Sequence, residues 1–162
     1  MIQPGNPAPT FELPAPEGRV VSLQAACSLG PVVVAFFKVA CPTCQLTFPY
    51  LEKLHQALKG ASVTVLGVSQ DDAEATAAFA STHGLTFRLL LDGEGFPISS
   101  AWAIENVPSL FLVGKDCQVW EAMTGWSRNE VNSIAATAAR MAGAAPLVLI
   151  PDTDGAPAWK PG

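Results

Sequence analysis

Apolar residues follow two rhythms along this chain. One is the short continuous run bounded by turn formers: Val32 to Phe37 after Pro31, Val63 to Ser69, Phe87 to Leu91, and Leu110 to Val113. Such runs, rich in β-branched and aromatic residues, predict strands buried on both faces. The other is helical spacing. From about 42 to 59, Leu46, Tyr50, Leu51, Leu54 and Leu58 recur at three- and four-residue steps. Pro42 suits the first turn of that helix, Pro49 falls inside it and predicts a kink, and Gly60 ends it. An alanine-rich helix capped by Asp71 or Asp72 runs to about 83 and closes at Gly84. A short helix is predicted from Phe96 to Trp102 and a final one over about 128–142. Gly114 to Cys117, between Leu110–Val113 and Gln118–Glu121, is a hairpin signal. Strands alternating with helices predict an α/β fold, a central sheet flanked by helices in three layers, made mixed by the closing hairpin.

The ends depart from these rhythms. Residues 1–18 carry Pro4, Pro7, Pro9, Pro14 and Pro16 without periodicity, and predict an extended arm anchored by Phe11 and Leu13. A short strand over 18–23 follows, with Ser22 capping a brief helix through Cys27. In the tail, 146–162, Leu147 to Ile150 predict an extra edge strand followed by a loose end. The 162 residues suit one domain, without repeats.

Composition narrows the function. Apolar residues make up 49% of the chain and charged residues 14%, which suits an ordered protein with a sizeable core. The net charge of -5, with scattered basic residues, argues against a nucleic-acid partner. No run has the length of a membrane span. The start, Met1 to Gly5, has no basic segment followed by an apolar one, so the expected location is cytoplasmic; a periplasmic or other extracytoplasmic location is the alternative for a chain whose leader has been removed.

The chemistry concentrates in Cys41-Pro42-Thr43-Cys44, directly after the run 32–37 and at the start of the predicted helix. Two cysteines so spaced either cycle between dithiol and disulfide or supply half of a metal site. A helix N-terminus stabilises negative charge on a sulfur, and the thiolate is the nucleophilic form. A structural zinc site needs about four ligands. No second CxxC exists, and His55 and His83 lack paired spacing. Copper delivery, with its softer ligands, stays open as a metal-binding alternative. Lys38 is a strand-end cation three residues before Cys41. Cys27 reads as a small buried hydrophobe and Cys117 as a turn residue, each isolated.

Three features together resemble the thioredoxin-fold superfamily: the apolar strand leading into CxxC, Pro49 five residues after Cys44, and the stretch from Trp102 through Val107-Pro108-Ser109 into Leu110 to Val113. The separation of Cys44 from Pro108 exceeds that of a minimal thioredoxin and fits a helix–strand insertion around 70–92. Gly5 to Leu13, followed by Gly18 and Val21-Ser22-Leu23, is similar to the N-terminus of redoxins and TlpA-like reductases. The resemblance covers about residues 5–142. It implies a thiol-disulfide oxidoreductase with Cys41 as nucleophile and Cys44 as resolving thiol. Pro108 would be cis, and Pro42, Thr43, Val107 and Pro108 would contact substrate. The partners would be protein thiols or disulfides and an electron donor or acceptor. No cofactor is expected beyond a redox-active Cys41–Cys44 disulfide. Where thioredoxins carry Trp before the first cysteine and a buried Asp on the preceding strand, this chain has Ala40 and Ala35. The proton acceptor for Cys44 is therefore unassigned, with Asp71, Asp72 and Glu105 as candidates. A thiol peroxidase of the peroxiredoxin type is the other enzymatic reading. That pattern needs Pro seven and Thr or Ser three residues before the reactive cysteine. Val34 and Lys38 stand there before Cys41, and Phe37 and Cys41 before Cys44, so the pattern fails at both.

Overall fold

A computed structural model describes residues 1–162. Five strands form the central sheet: β3 (Val32–Phe37), β4 (Thr64–Ser69), β5 (Arg88–Leu91), β6 (Ser109–Val113) and β7 (Val119–Thr124). Before them come β1 (Glu12–Pro14) and β2 (Val20–Ser22), a separate antiparallel pair; β8 (Trp126–Ser127) and β9 (Trp159–Lys160) form a third. The helices are α1 (Leu23–Leu29), α2 (Pro42–Ala57), α3 (Ala73–His83), α4 (Pro97–Ala101) and α5 (Arg128–Met141). In the central sheet the order is β5-β4-β3-β6-β7. β3 pairs parallel with β4 and antiparallel with β6, and the β6–β7 hairpin makes the sheet mixed as expected. No helix is long and apolar enough to cross a membrane.

The strand runs are continuous because both faces are covered. On β3, Val33, Ala35 and Phe37 enter one apolar cluster with Leu51 and Leu54 of α2 and Ile134 of α5. Val32, Val34 and Phe36 enter the opposite cluster with Leu23 of α1, Trp102 and the arm residues Phe11 and Leu13. The period of two thus sorts one uninterrupted run between two cores. Trp102 is completely buried and fastens the arm, its indole N–H donating to the Pro9 carbonyl at 3.0 Å and its ring standing 6.3 Å from Phe11.

Under α2 two small residues stand side by side in the sheet. Ala35 and Gly67 are register partners, and a Cβ on Gly67 would lie 2.5 Å from Leu89 and 3.1 Å from Phe48. That space lets the Phe37 and Phe48 rings approach to 4.3 Å beneath the helix. Pro49 lies inside α2, which continues past it to Ala57. Asp72 is the cap of α3, its carboxylate accepting from Ala75 N–H at 2.8 Å.

The tail overturns one expectation. Leu147 to Ile150 form no strand. Leu149 and Ile150 are instead fully buried in the α2/α5 core, and Ile150 exchanges two 2.8 Å hydrogen bonds with the Asn132 side-chain amide. That amide supplies the donor and acceptor a neighbouring strand would have offered. Nor is the end loose: residues 151–162 run back along α2 and α5, and β9 pairs with β8.

Candidate functional site

Strand β3 ends at Phe37, and the three-residue turn 38–40 delivers Cys41 to the N-cap of α2. Pro42 takes the first helical position, where a missing N–H costs nothing. The Cys41 side chain does the capping, its sulfur accepting from Cys44 N–H at 3.2 Å. In its other direction the Cys41 thiol donates to the Val107 carbonyl at 3.4 Å. The Val107–Pro108 bond is cis, and β6 follows directly. Cys41 is half-buried and Cys44, one turn deeper, has no exposed surface. All four cysteines are free thiols.

Cys44 lies in the same cluster as Ala35, Phe37 and Phe48. Burial, then the Cys41 sulfur, push its thiol well above the ordinary range, and the charge of Asp71 adds to this. An uncharged Ala35 at the strand position beneath the helix leaves no carboxyl within that cluster. Of the acids expected as candidates, Asp72 is committed to its cap and Glu105 is exposed. Asp71 is tied to the motif: its carboxylate accepts from Val39 N–H, two residues before Cys41, at 2.8 Å. Lys38 points elsewhere, its ammonium standing 5.9 Å from the Phe96 ring centroid.

Cys41, Cys44, Val107 and Pro108 therefore meet at one place. Pro42 is exposed beside them. Thr43 is only 4% exposed, because the chain's own tail covers it: its hydroxyl donates to the Pro161 carbonyl at 2.6 Å. The motif gives no sign of that partner. Nor does the sequence relate Cys27 to Cys117, expected to be isolated. Burial first, then the neighbouring Cys117 sulfur, push the Cys27 thiol up to about 12. Their elements, α1 and the β6–β7 turn, converge on the arm's side of the sheet, where both residues pack in one cluster. No group of three or more His, Cys, Asp and Glu gathers at one point. A groove of about 610 Å³ is lined by His55, Ala77, Ala80, Phe87 and Arg88 among others and contains neither thiol of the motif.

Residues 4–122, from the arm through most of β7, match the AhpC/TSA family. The chain belongs to that family. Among curated proteins it is similar to the thiol-disulfide oxidoreductase ResA of Halalkalibacterium halodurans, 27% identical over 126 residues, covering 77% of this chain and 70% of that one. It is also similar to the chloroplastic peroxiredoxin Q of Sedum lineare, 34% identical over 119 residues, covering 73% and 63%. The thioredoxin domain of a thiol-disulfide oxidoreductase from Bacteroides vulgatus superposes with a TM-score of 0.74 at 22% identity, over 85% of this chain and 99% of that domain. The fold is thus thioredoxin-like, as the resemblance implied. The family takes in relatives named for disulfide exchange and for peroxide chemistry, so the choice between them falls to the site.

Proposed function

We propose that the chain is a thiol-disulfide oxidoreductase that exchanges disulfides through Cys41 and Cys44. One observation carries this: a half-exposed cysteine caps α2, its sulfur accepting from the backbone N–H of a second, fully buried cysteine one turn behind. In the reducing direction the Cys41 thiolate attacks one sulfur of a substrate disulfide. A Cys41–substrate disulfide forms and the other substrate sulfur leaves as thiolate. Cys44 then gives up its proton and attacks the Cys41 sulfur. The Cys41–Cys44 disulfide forms, and the second substrate sulfur departs. Two electrons have passed to the substrate, and a dithiol donor returns the pair to its reduced state. No further cofactor enters.

The site's surroundings support these roles. Burial, then the Cys41 sulfur, raise the Cys44 thiol, which suits Cys41 as the thiol that attacks first. Asp71 is the carboxylate best placed to take the Cys44 proton, since its backbone partner Val39 adjoins the motif. Val107 and Pro108 form the wall beside the Cys41 sulfur, and the backbone at Val107 suits pairing with an extended protein substrate. Pro42 is exposed beside that wall, whereas Thr43, expected from the sequence to touch substrate, lies beneath the tail.

Peroxidase chemistry is the second reading, favoured by the similarity to peroxiredoxin Q. Against it, the positions where that pattern needs Pro and Thr are filled by Val34, buried mid-strand, and Lys38, directed at Phe96. Wild type is expected to reduce a model disulfide with dithiothreitol as donor, and Cys41→Ser to lose this by at least a thousandfold. Cys44→Ser is expected to accumulate mixed disulfides with protein substrates, seen as adducts by mass spectrometry. Full turnover in Cys41→Ser, or peroxide consumption as fast as disulfide exchange, would overturn the assignment.

A further inference from the structure

The end of the chain lies on the strip of backbone that the proposed function assigns to substrate. A Cβ built on Gly162 would stand 2.8 Å from the Val107 carbonyl oxygen and 3.4 Å from Gly125 N. One built on Gly125 would stand 2.8 Å from the Lys160 carbonyl and 2.9 Å from Gly162 N. The backbones of 160–162, 125 and 107 are therefore in contact, with no room for a second chain between them. Thr43, inside the CxxC, gives its hydroxyl proton to Pro161. The same Val107 carbonyl that receives the Cys41 thiol is thus flanked by the tail.

This segment has a firm base and a light tip. At the base, Leu149 and Ile150 are in the core. Tyr50 OH donates to Asp154 at 2.5 Å, Asp152 stands 3.3 Å from the Arg128 guanidinium, the buried Trp126 indole donates to the Pro157 carbonyl at 2.7 Å, and Arg128 N–H donates to the Ala158 carbonyl at 3.0 Å. Beyond Ala158 the holding contacts are two ladder positions and the Thr43 bond. Trp159 is 65% exposed, and Pro161 and Gly162 are exposed. A few neutral hydrogen bonds, each worth about 1 kcal/mol net, are a modest restraint. Cys41 keeps solvent-exposed surface while the tip is seated.

We propose that Trp159–Gly162 is a strap that sets substrate size. Seated, it fills the peptide side of the Cys41 groove and admits small disulfides only; an extended protein segment reaches Cys41 after the strap lifts from Val107 and Thr43. The strap acts on the site proposed above and rests on that reading of it.

Truncation after Ala158 tests this, because it removes the tip and leaves every anchor from Leu149 to Ala158. With dithiothreitol as donor, reduction of 2-hydroxyethyl disulfide is expected to stay within about twofold of wild type, and reduction of insulin to rise at least tenfold. Lys160→Pro in the full chain deletes the backbone donor opposite Trp126 and is expected to move the same ratio the same way, which guards against a truncated chain that does not fold. A second readout needs no turnover: alkylation at Cys41, followed by peptide mass mapping, with iodoacetamide and with a 5 kDa polyethylene-glycol maleimide. The bulky reagent is expected to gain at least fivefold on the small one in either variant. An unchanged insulin-to-small-disulfide ratio together with an unchanged alkylation ratio would sink the strap while leaving the oxidoreductase intact. Loss of all turnover in wild type would instead sink the oxidoreductase, and the alkylation ratio would still judge the strap.

Discussion

Cys27 and Cys44 are both thiols without exposed surface, and both are harder to ionise than free cysteine, whose reference value is 9.0. For each, the folded value lies above the unfolded one. The folded state then holds a proton that the unfolded state has lost, so the stability this contributes is complete below about pH 9 and falls as pH rises toward the folded value. The slope is about 1.4 kcal/mol per pH unit for each thiol while only the unfolded state is ionised. For Cys27 that window runs from about 9 to about 12. Urea denaturation of the reduced protein between pH 9 and 11 is therefore expected to show wild type losing stability relative to Cys27→Ala, by about that slope. Parallel pH profiles would mean that Cys27 does not stay protonated in the fold. Asp71 permits a second test at this scale. Asp71→Asn keeps an acceptor for Val39 N–H and removes the base. If Asp71 takes the Cys44 proton, the resolving step slows by about 10²-fold near neutrality and recovers as hydroxide replaces the carboxylate at higher pH. A variant that resolves faster at every pH would instead show that Asp71 acts only by raising the Cys44 thiol. Stopped-flow single turnovers across pH separate the two.

Among the elements, those that repeat a rhythm were legible in the sequence and those held by one-off partners were not. β3, β4 and β6 announced themselves as unbroken apolar runs because each buries both faces, and α2 by its spacing and by Pro42. The CxxC was placed correctly at the strand–helix junction for the same reason. The tail misled because Leu147 to Ile150 carry a strand's composition while their backbone partner is a single side chain, Asn132, which no periodicity encodes. Thr43 and Pro161 lie 118 residues apart, a separation that no local pattern spans. Trp126 and Tyr50, generic packing residues by type, turn out to clamp the tail, their rings 4.9 Å apart. Tyr50 makes this clamp measurable, because it is the only tyrosine in the chain. Its hydrogen bond to Asp154, with burial and the carboxylate charge behind it, pushes the phenol up to about 12. Ultraviolet titration of the phenolate is expected to show a midpoint near 12 in wild type that falls toward 10 in Asp154→Ala. A wild-type midpoint near 10 would mean that the 151–158 segment is not docked on α2.

The whole molecule closes its sheet with its two ends, one on each face. The N-terminal arm crosses the α1/α4 side, held by Phe11, Leu13 and the bond from Trp102 to Pro9. The C-terminal segment crosses the α2/α5 side, held by Leu149 and Ile150, and arrives at the thiols. The two halves of that segment do different physical work. Burying a Leu or Ile side chain contributes about 1.5–3 kcal/mol, and together Leu149 and Ile150 make the base part of the core. The tip contributes a few exposed hydrogen bonds of about 1 kcal/mol net each. Removing 146–162 is therefore expected to lower the unfolding free energy by more than about 3 kcal/mol, a large share of the total for a protein of this size. Removing 159–162 alone is expected to cost no more than about 2 kcal/mol. Urea midpoints at constant slope would read the difference. Equal losses would mean that the tip is structural and cannot lift without unfolding its neighbours. Unequal losses leave the molecule with a cover over Cys41 that can leave its groove while the sheet, the arm and the buried Cys44 stay in place.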